Sequence, residues 1–241
     1  MLVINKLISG IPELPVSEVI IGFHTVLIRC GFSSGLANIL TDKCQQLNIK
    51  NTEELERLSL KQLSEYSLSK NGLEASIGIA AINCAYSSCI TNYSNINAKM
   101  IILEKGRNKK VGIIGHFPFL ETHREHYKKC YIFEKNPLSG DLNESDIPKY
   151  LPQVDLVAIS GTTLANHTFD DIIKHLPKNS FKILLGPTSP LSPAIFDYGI
   201  DVISGSIIKD YNLLKLNVQR GIPTRYIQGL EMATIFKKNY Q

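Results

Sequence analysis

The sequence predicts an α/β protein in two parts, a mixed α+β module over residues 1–97 and a doubly wound parallel sheet over residues 98–241. Three observations predict it. The stretch KKVGIIGHFP (109–118) is an apolar run, a glycine turn and the start of a new segment, which is the first half of a βαβ unit. After it, apolar runs alternate with helical patterns: CYIFE (130–134), VDLVAIS (154–160), FKILLGP (181–187) and IDVISG (200–205). Before it, the signals are antiparallel, and the polar segment TNYSNINA (91–98), with three asparagines, is the expected linker.

Each element has its own warrant. Residues 1–13 read as a short amphipathic helix stopped near Gly10 and Pro12. SEVIIGFHTVLIRC (17–30) reads as a hairpin turning at Gly22-Phe23-His24. GFSSG (31–35) reads as a loop with two glycines and two hydroxyls, able either to approach a ligand or simply to return the chain. Residues 52–69 have helical spacing with Thr52 as N-cap. GLEASIGIAAINCAYSSCI (72–90) is rich in small residues and reads as a buried helix against which another backbone can come close. Glu74 and Asn83 are its polar members, either satisfied core groups or cleft residues. FLETHREHYKKC has helical character, and GTTLANHTFDDIIKHL (161–176) is a turn running into a helix. SIIKDYNLLKLNVQRG (206–221) and residues 226–238 read as the two closing helices.

Composition excludes several classes. A chain that is 44% hydrophobic and 20% charged, with net charge +4, is an ordinary globular protein. Its basic cluster at Lys105–Lys110 lacks the interleaved aromatics of a nucleic-acid groove. No run reaches the roughly 18 apolar residues of a membrane span, and the N-terminus lacks the basic and long apolar regions of a signal peptide. Five cysteines without a CxxC pair predict reduced, mostly buried thiols in the cytoplasm and no thiolate zinc site.

In a parallel sheet, ligands sit outside the carboxyl ends of the strands. The candidate binding residues are therefore Gly112, Gly115, His116, Phe117 and Pro118 from the first turn, and Glu134 from the second strand. Thr162, Thr163 and Asn166 follow the third strand, and Gly186 and Pro187 the fourth. Glu134 lies 19 positions after Gly115, close to where a dinucleotide fold places its ribose-binding acid. The pattern is not GxGxxG, so ordinary pyrophosphate binding is not expected; Glu134 reads either as the grip on the ribose of a nucleoside such as S-adenosylmethionine or as a solvated strand-end carboxylate. The two threonines and Asn166 at a strand-to-helix turn suit either an anionic ligand or plain capping. His123 and His126 form H-x-x-H, a metal pair if a third ligand arrives and otherwise a charged surface. His116, inside the glycine turn, is the better placed histidine. No P-loop, nucleophile elbow or HExxH is present.

Three stretches together, VGIIGHFPFL (111–120), DLVAISGTTLANHT (155–168) and LLGPTSPLSPAIFDYGIDVISG (184–205), resemble the heavy-metal-chelation family of Rossmann-like proteins. GLEASIGIAAINCAY (72–86) and EKNPLSGDL (134–142) add to the resemblance. It implies an enolase-N-terminal-like domain ahead of a Rossmann-like domain, with a cleft between them. It places Glu74 and Asn83 near the glycine turn and Asn166. The resulting expectation is a protein that binds a small ligand, a transition metal or a metal chelate, with His116 as the metal ligand, and that forms a homodimer. The alternatives are an enzyme acting on a small amino-acid-derived substrate with a nucleoside ligand, and an oligomeric scaffold without catalysis.

Overall fold

The computed structural model describes residues 1–40, 49–51, 53–117, 119 and 122–239. Helix α1 spans Leu2–Ser9 and ends at Gly10. Strands β1 (Glu18–Ile21), β2 (Thr25–Cys30) and β3 (Ser33–Asn38) form an antiparallel meander. GFSSG is thus not one loop. Gly31-Phe32 is a two-residue turn, with Gly31 at φ +57°, and Ser33 already pairs with Cys30.

The helix expected over 52–69 is broken. Leu58 is extended, and Ser59 starts helix α2 (Leu60–Glu65) with a capping box to Gln62. The cap expected at Thr52 lies outside the described residues. Helix α3 (Gly72–Ser87) is buried all round through Cys84. Its small residues do admit other backbones. Gly78 faces the backbone of Tyr66 and Ser67, and β3 crosses the helix at Gly35. Residues 88–97 hold no helix or strand beyond a bridge from Ser94 to Thr234. Asn97 caps helix α4 (Ala98–Gly106).

The second sheet contains β4 (Lys110–Ile114), β5 (Lys129–Glu134), β6 (Leu142–Asn143), β7 (Leu156–Ser160), β8 (Phe181–Leu185), β9 (Val202–Ile208) and β10 (Leu230–Phe236). Among the described residues its order is β10-β9-β8-β7-β4-β5-β6, parallel except for β10. The chain builds outward from β4 to β6, returns to β7, and builds outward the other way. This is the strand order of a Rossmann-like fold, with its switch point between β4 and β7. The apolar runs are continuous because both faces are covered. Val111, Ile113, Leu156, Ala158 and Ile183 pack with α4, whereas Ile114, Val157, Ile159 and Leu184 join the core shared with α3.

Between the strands lie α5 (Ile147–Tyr150), α6 (Thr162–Ala165), α7 (Phe169–Ile173) and α8 (Tyr211–Gln219). Two helical expectations are corrected. Residues 226–238 form β10, not a helix: Leu230–Phe236 pairs antiparallel with β9 after the breaks at Pro223 and Gly229. Residues 206–208 extend β9, and α8 begins only after Asp210, whose carboxylate caps the Leu213 N–H. In FLETHREHYKKC, Phe119 is helical and Arg124–His126 makes a 3-10 turn before Tyr127 turns extended into β5. No helix among the described residues is long and apolar enough to cross a membrane.

Of the cysteines, Cys30 and Cys84 are buried, Cys130 is half-buried and Cys89 is exposed; Cys44 lies outside the described residues. Burial, reinforced by Cys30 nearby, pushes the Cys84 thiol up to about 12. The thiolate is the reactive form. Brief alkylation of the native protein at neutral pH is therefore expected to label Cys89 and leave Cys84 unmodified. Peptide mass spectrometry checks it, and equal labelling of the two would refute the buried placement of α3.

Candidate functional site

The carboxyl ends of β4, β5, β7 and β8 open into two connected chambers of about 770 Å³ and about 220 Å³. They share Gly115, Glu134, Ser160 and Thr162 as common wall. Gly115, His116, Phe117, Glu134, Thr162, Gly186 and Pro187 line the larger chamber, and Thr163 and Asn166 line the smaller. The strand-end logic therefore gathers these candidates at the switch point.

Three candidates fall elsewhere. Gly112 sits mid-strand in β4, not in the turn, and a Cβ there would touch Leu151 at 3.0 Å. Glu74 is 4% exposed and lines neither chamber. Its carboxylate accepts the Lys50 N–H at 2.9 Å and the Ser69 hydroxyl at 2.5 Å, which makes it a satisfied core group. Asn83 lies behind the wall, donating to the Leu36 carbonyl at 2.7 Å and reaching the Pro187 carbonyl at 3.5 Å. Its Oδ1 is buried without a partner among the described residues. Pro118 lies outside the described residues.

The amides of Gly115, Gly161 and Gly186 are committed to the sheet and do not cradle an anion. Gly115 N–H donates to Phe133 O at 3.1 Å, Gly161 N–H to Leu185 O at 2.9 Å and Gly186 N–H to Ser204 O at 3.0 Å. Each extends the sheet ladder one residue past its strand. Only then do Gly115 (φ +101°) and Gly186 (φ +109°) turn the chain, in a backbone region that favours glycine.

The polar groups divide into those already committed and those facing the chambers. Thr163 Oγ1 donates to Ser160 O at 2.6 Å, and Asn166 Oδ1 accepts from the Thr168 N–H and hydroxyl. Both are local turn bonds, as the capping alternative expects. The Ser160 and Thr162 hydroxyls pair with each other at 2.8 Å on the shared wall. Glu134 Oε2 accepts the Lys135 N–H at 3.1 Å. Its position at the tip of β5, beside Gly115 on β4, is where a Rossmann fold carries its ribose-binding acid.

His116 does not stand by itself. Its Nε2 lies 2.9 Å from Asp141 Oδ2, and the Asp141 side chain is 1% exposed. Asp141 also accepts the Leu138 N–H at 3.0 Å and faces Arg124 at 3.6 Å. His167, at φ +63°, turns away from the chambers and bonds the Ser67 carbonyl at 2.7 Å. The His123 and His126 rings do meet, 5.6 Å apart, because residues i and i+3 eclipse on a 3-10 turn. No cluster of three or more His, Cys, Asp or Glu side chains able to hold a metal occurs among the described residues.

Sequence reasoning missed Asp141, the partner of His116, and several wall residues. Asp141 sits in the quoted run EKNPLSGDL, where turn chemistry hid it. Ile227, Leu230 and Met232 line the larger chamber from the segment read as a helix, and Arg225 lines it from just ahead of that segment. The alternation of Leu230 and Met232 was the available signal. Asn38 and Thr188 close the wall between the modules: Asn38 N–H donates to Thr188 Oγ1 at 3.0 Å, and Asn38 Oδ1 accepts from Thr224 at 2.9 Å.

Residues 97–237 match the family DUF364, described as "Putative heavy-metal chelation". The chain belongs to the DUF364 family. A second family with the same description, DUF4213, matches residues 4–86. A DUF364 protein of unknown function from Desulfitobacterium hafniense is 28% identical, with TM-score 0.86 over 98% of this chain and 97% of that one. A DUF364 protein from Pyrococcus horikoshii, 21% identical, has the same fold at TM-score 0.84 over 97% and 98% of the two chains. An uncharacterized protein of Methanocaldococcus jannaschii is 33% identical over 146 residues, 57% of this chain. The matched region spans 56% of that relative's length. The Rossmann-like fold expected of the family is therefore present here, and the two family models carry a description of heavy-metal chelation rather than a named reaction.

Proposed function

We propose that this DUF364 member binds a small organic ligand that carries a transition metal, a chelate or metallophore, in the two-chamber cleft. One observation supports it above the rest. The cleft combines the apolar walls Phe117, Phe119, Ile227, Leu230 and Met232 with a few polar anchors, Glu134, Ser160, Thr162 and Arg225. That is the make-up of a site for an organic molecule. A bare ion needs several converging ligands, and His116 with Asp141 supplies two. A ligand that brings its own donor atoms needs only to be held. His116 would then meet the metal as one further donor. The residues 1–97 and 98–241 act as two domains closing on that ligand, in a cytoplasmic homodimer.

A second reading has its own support. Glu134 at the tip of β5 suits the ribose of a nucleoside such as S-adenosylmethionine, which would make the protein an enzyme on a small amino-acid-derived substrate. A scaffold with an empty cleft predicts no thermal shift with any ligand class.

The test is to denature freshly purified protein, then identify what it releases by mass spectrometry and elemental analysis, and to follow with calorimetry. The chelate reading expects a metal-loaded organic molecule in stoichiometric amount, and weak heat from the metal alone. A nucleoside without metal would replace it with the second reading. Absence of any heat with metals, chelates or nucleosides would leave the scaffold.

A further inference from the structure

The turn GFSSG has a use that the cleft does not absorb. Arg29, Ser33, Ser34, Ser87, Lys209 and Tyr211 line a separate pocket of about 330 Å³, which shares no wall residue with the two chambers. We propose that this pocket is a second binding site, for a phosphate monoester or similar oxyanion, with Arg29 and Ser34 as its principal ligands.

The chemistry of the wall is one-sided. Among the described residues it holds a guanidinium, an ammonium and four serine hydroxyls, and no carboxylate. Arg29 is fixed in place: its guanidinium stacks 4.4 Å from the centre of the Tyr211 ring, and Nε donates to the Gly31 carbonyl at 3.3 Å. Its terminal nitrogens make no hydrogen bond among the described residues, so the fork that matches an oxyanion is held ready. Ser34 is 8% exposed, and its hydroxyl has no partner among the described residues although it faces the pocket. The hydroxyl is open to the pocket, so it can donate to an oxyanion seated beside the Arg29 fork.

Nearby carboxylates are already engaged. Glu18, beside Arg29, accepts from the Tyr211 hydroxyl and from Lys215. Lys209 is shared with Glu231 and the Tyr93 hydroxyl, each at 3.1 Å, so it adds field more than a dedicated bond. Ser87 and Ser88 donate to the Cys84 and Ala85 carbonyls at the end of α3, which screens that helix end from an anion. The tight turn Gly31-Phe32 is what delivers both hydroxyls beside Arg29, and Phe32 stands fully exposed at the rim.

The test titrates inorganic phosphate into the full chain and follows backbone amides by NMR. Saturable shifts confined to residues 29–34 and 87–88 are expected. Arg29→Gln is expected to weaken binding about tenfold or more, and Ser34→Ala about threefold, with Glu134→Gln unchanged. Ser34→Ala removes one hydroxyl from a strand, so it keeps the test open if Arg29→Gln misfolds. Shifts that do not saturate, that map to the cleft, or that keep wild-type affinity in both variants would overturn the site. Sedimentation with phosphatidate vesicles against phosphatidylcholine vesicles separates the sources. Arg29-dependent sedimentation assigns the phosphate to a lipid headgroup, and phosphate binding without sedimentation assigns it to a soluble metabolite.

Discussion

Gly35→Ala is expected to lower the melting temperature by roughly 6–12 °C, from a loss of about 3 kcal/mol or more. The reason is where β3 crosses α3. A methyl group at Gly35 would overlap the Cys84 amide nitrogen and come within 2.5 Å of the Ala80 carbonyl oxygen and 2.6 Å of the Asn83 carbonyl carbon. These are backbone atoms of a helix that is buried on every side, so no side chain can rotate away. Either β3 or α3 must move, and α3 is packed against the second sheet through α6. Gly31→Ala is the control. Gly31 has nothing within 4 Å of an added Cβ and pays only for its positive φ, about 1–2 kcal/mol. Melting followed by circular dichroism checks both. A Gly35→Ala protein that melts no lower than Gly31→Ala would show that the helix–strand crossing is looser than described.

That crossing also shows what was legible in the chain. The run of small residues in 72–86 signalled close backbone approach, because only small side chains leave that room. It could not say that Gly35, nearly fifty positions earlier, is what approaches. The parallel strands were legible because each is apolar on both faces, and their ends then named Gly115, His116, Glu134 and Thr162 as cleft residues without further knowledge. β10 was not legible. LEMATIF is short, and its alternation is shared with a helical pattern until pairing with β9 decides it. Reading it as a helix removed Leu230 and Met232 from the wall. Asp141 was hidden for a different reason: a loop carboxylate becomes informative only when the fold sets it against His116. The glycines misled in a third way. Their spacing announced a turn, but their amides are used by the neighbouring strands, which a linear pattern does not record.

Glu134→Gln is expected to weaken binding of the cleft ligand roughly 10- to 100-fold, the effect of losing charge-assisted hydrogen bonds of about 1.5–3 kcal/mol. Glu134 stands on the wall common to both chambers, so a ligand occupying either one passes it. One oxygen is tied to the Lys135 amide at 3.1 Å; the other makes no hydrogen bond among the described residues. Glutamine keeps the shape and one acceptor, and removes the charge. A ribose diol bonded to the carboxylate loses two charge-assisted acceptors, and a nucleoside would no longer co-purify with the variant. A chelate held mainly by the Phe117 and Ile227 side of the larger chamber loses less, and its affinity should fall toward the lower end of that range. Asn166→Ala provides the comparison, since the Asn166 oxygen is spent on Thr168 and not on a ligand. Its expected loss in affinity is small, and what it costs should appear as stability. Calorimetry with the molecule released from the wild-type protein measures all three proteins on one scale. Wild-type affinity in Glu134→Gln would remove Glu134 from the site and, with it, the nucleoside reading, leaving the aromatic wall as the feature that selects the ligand.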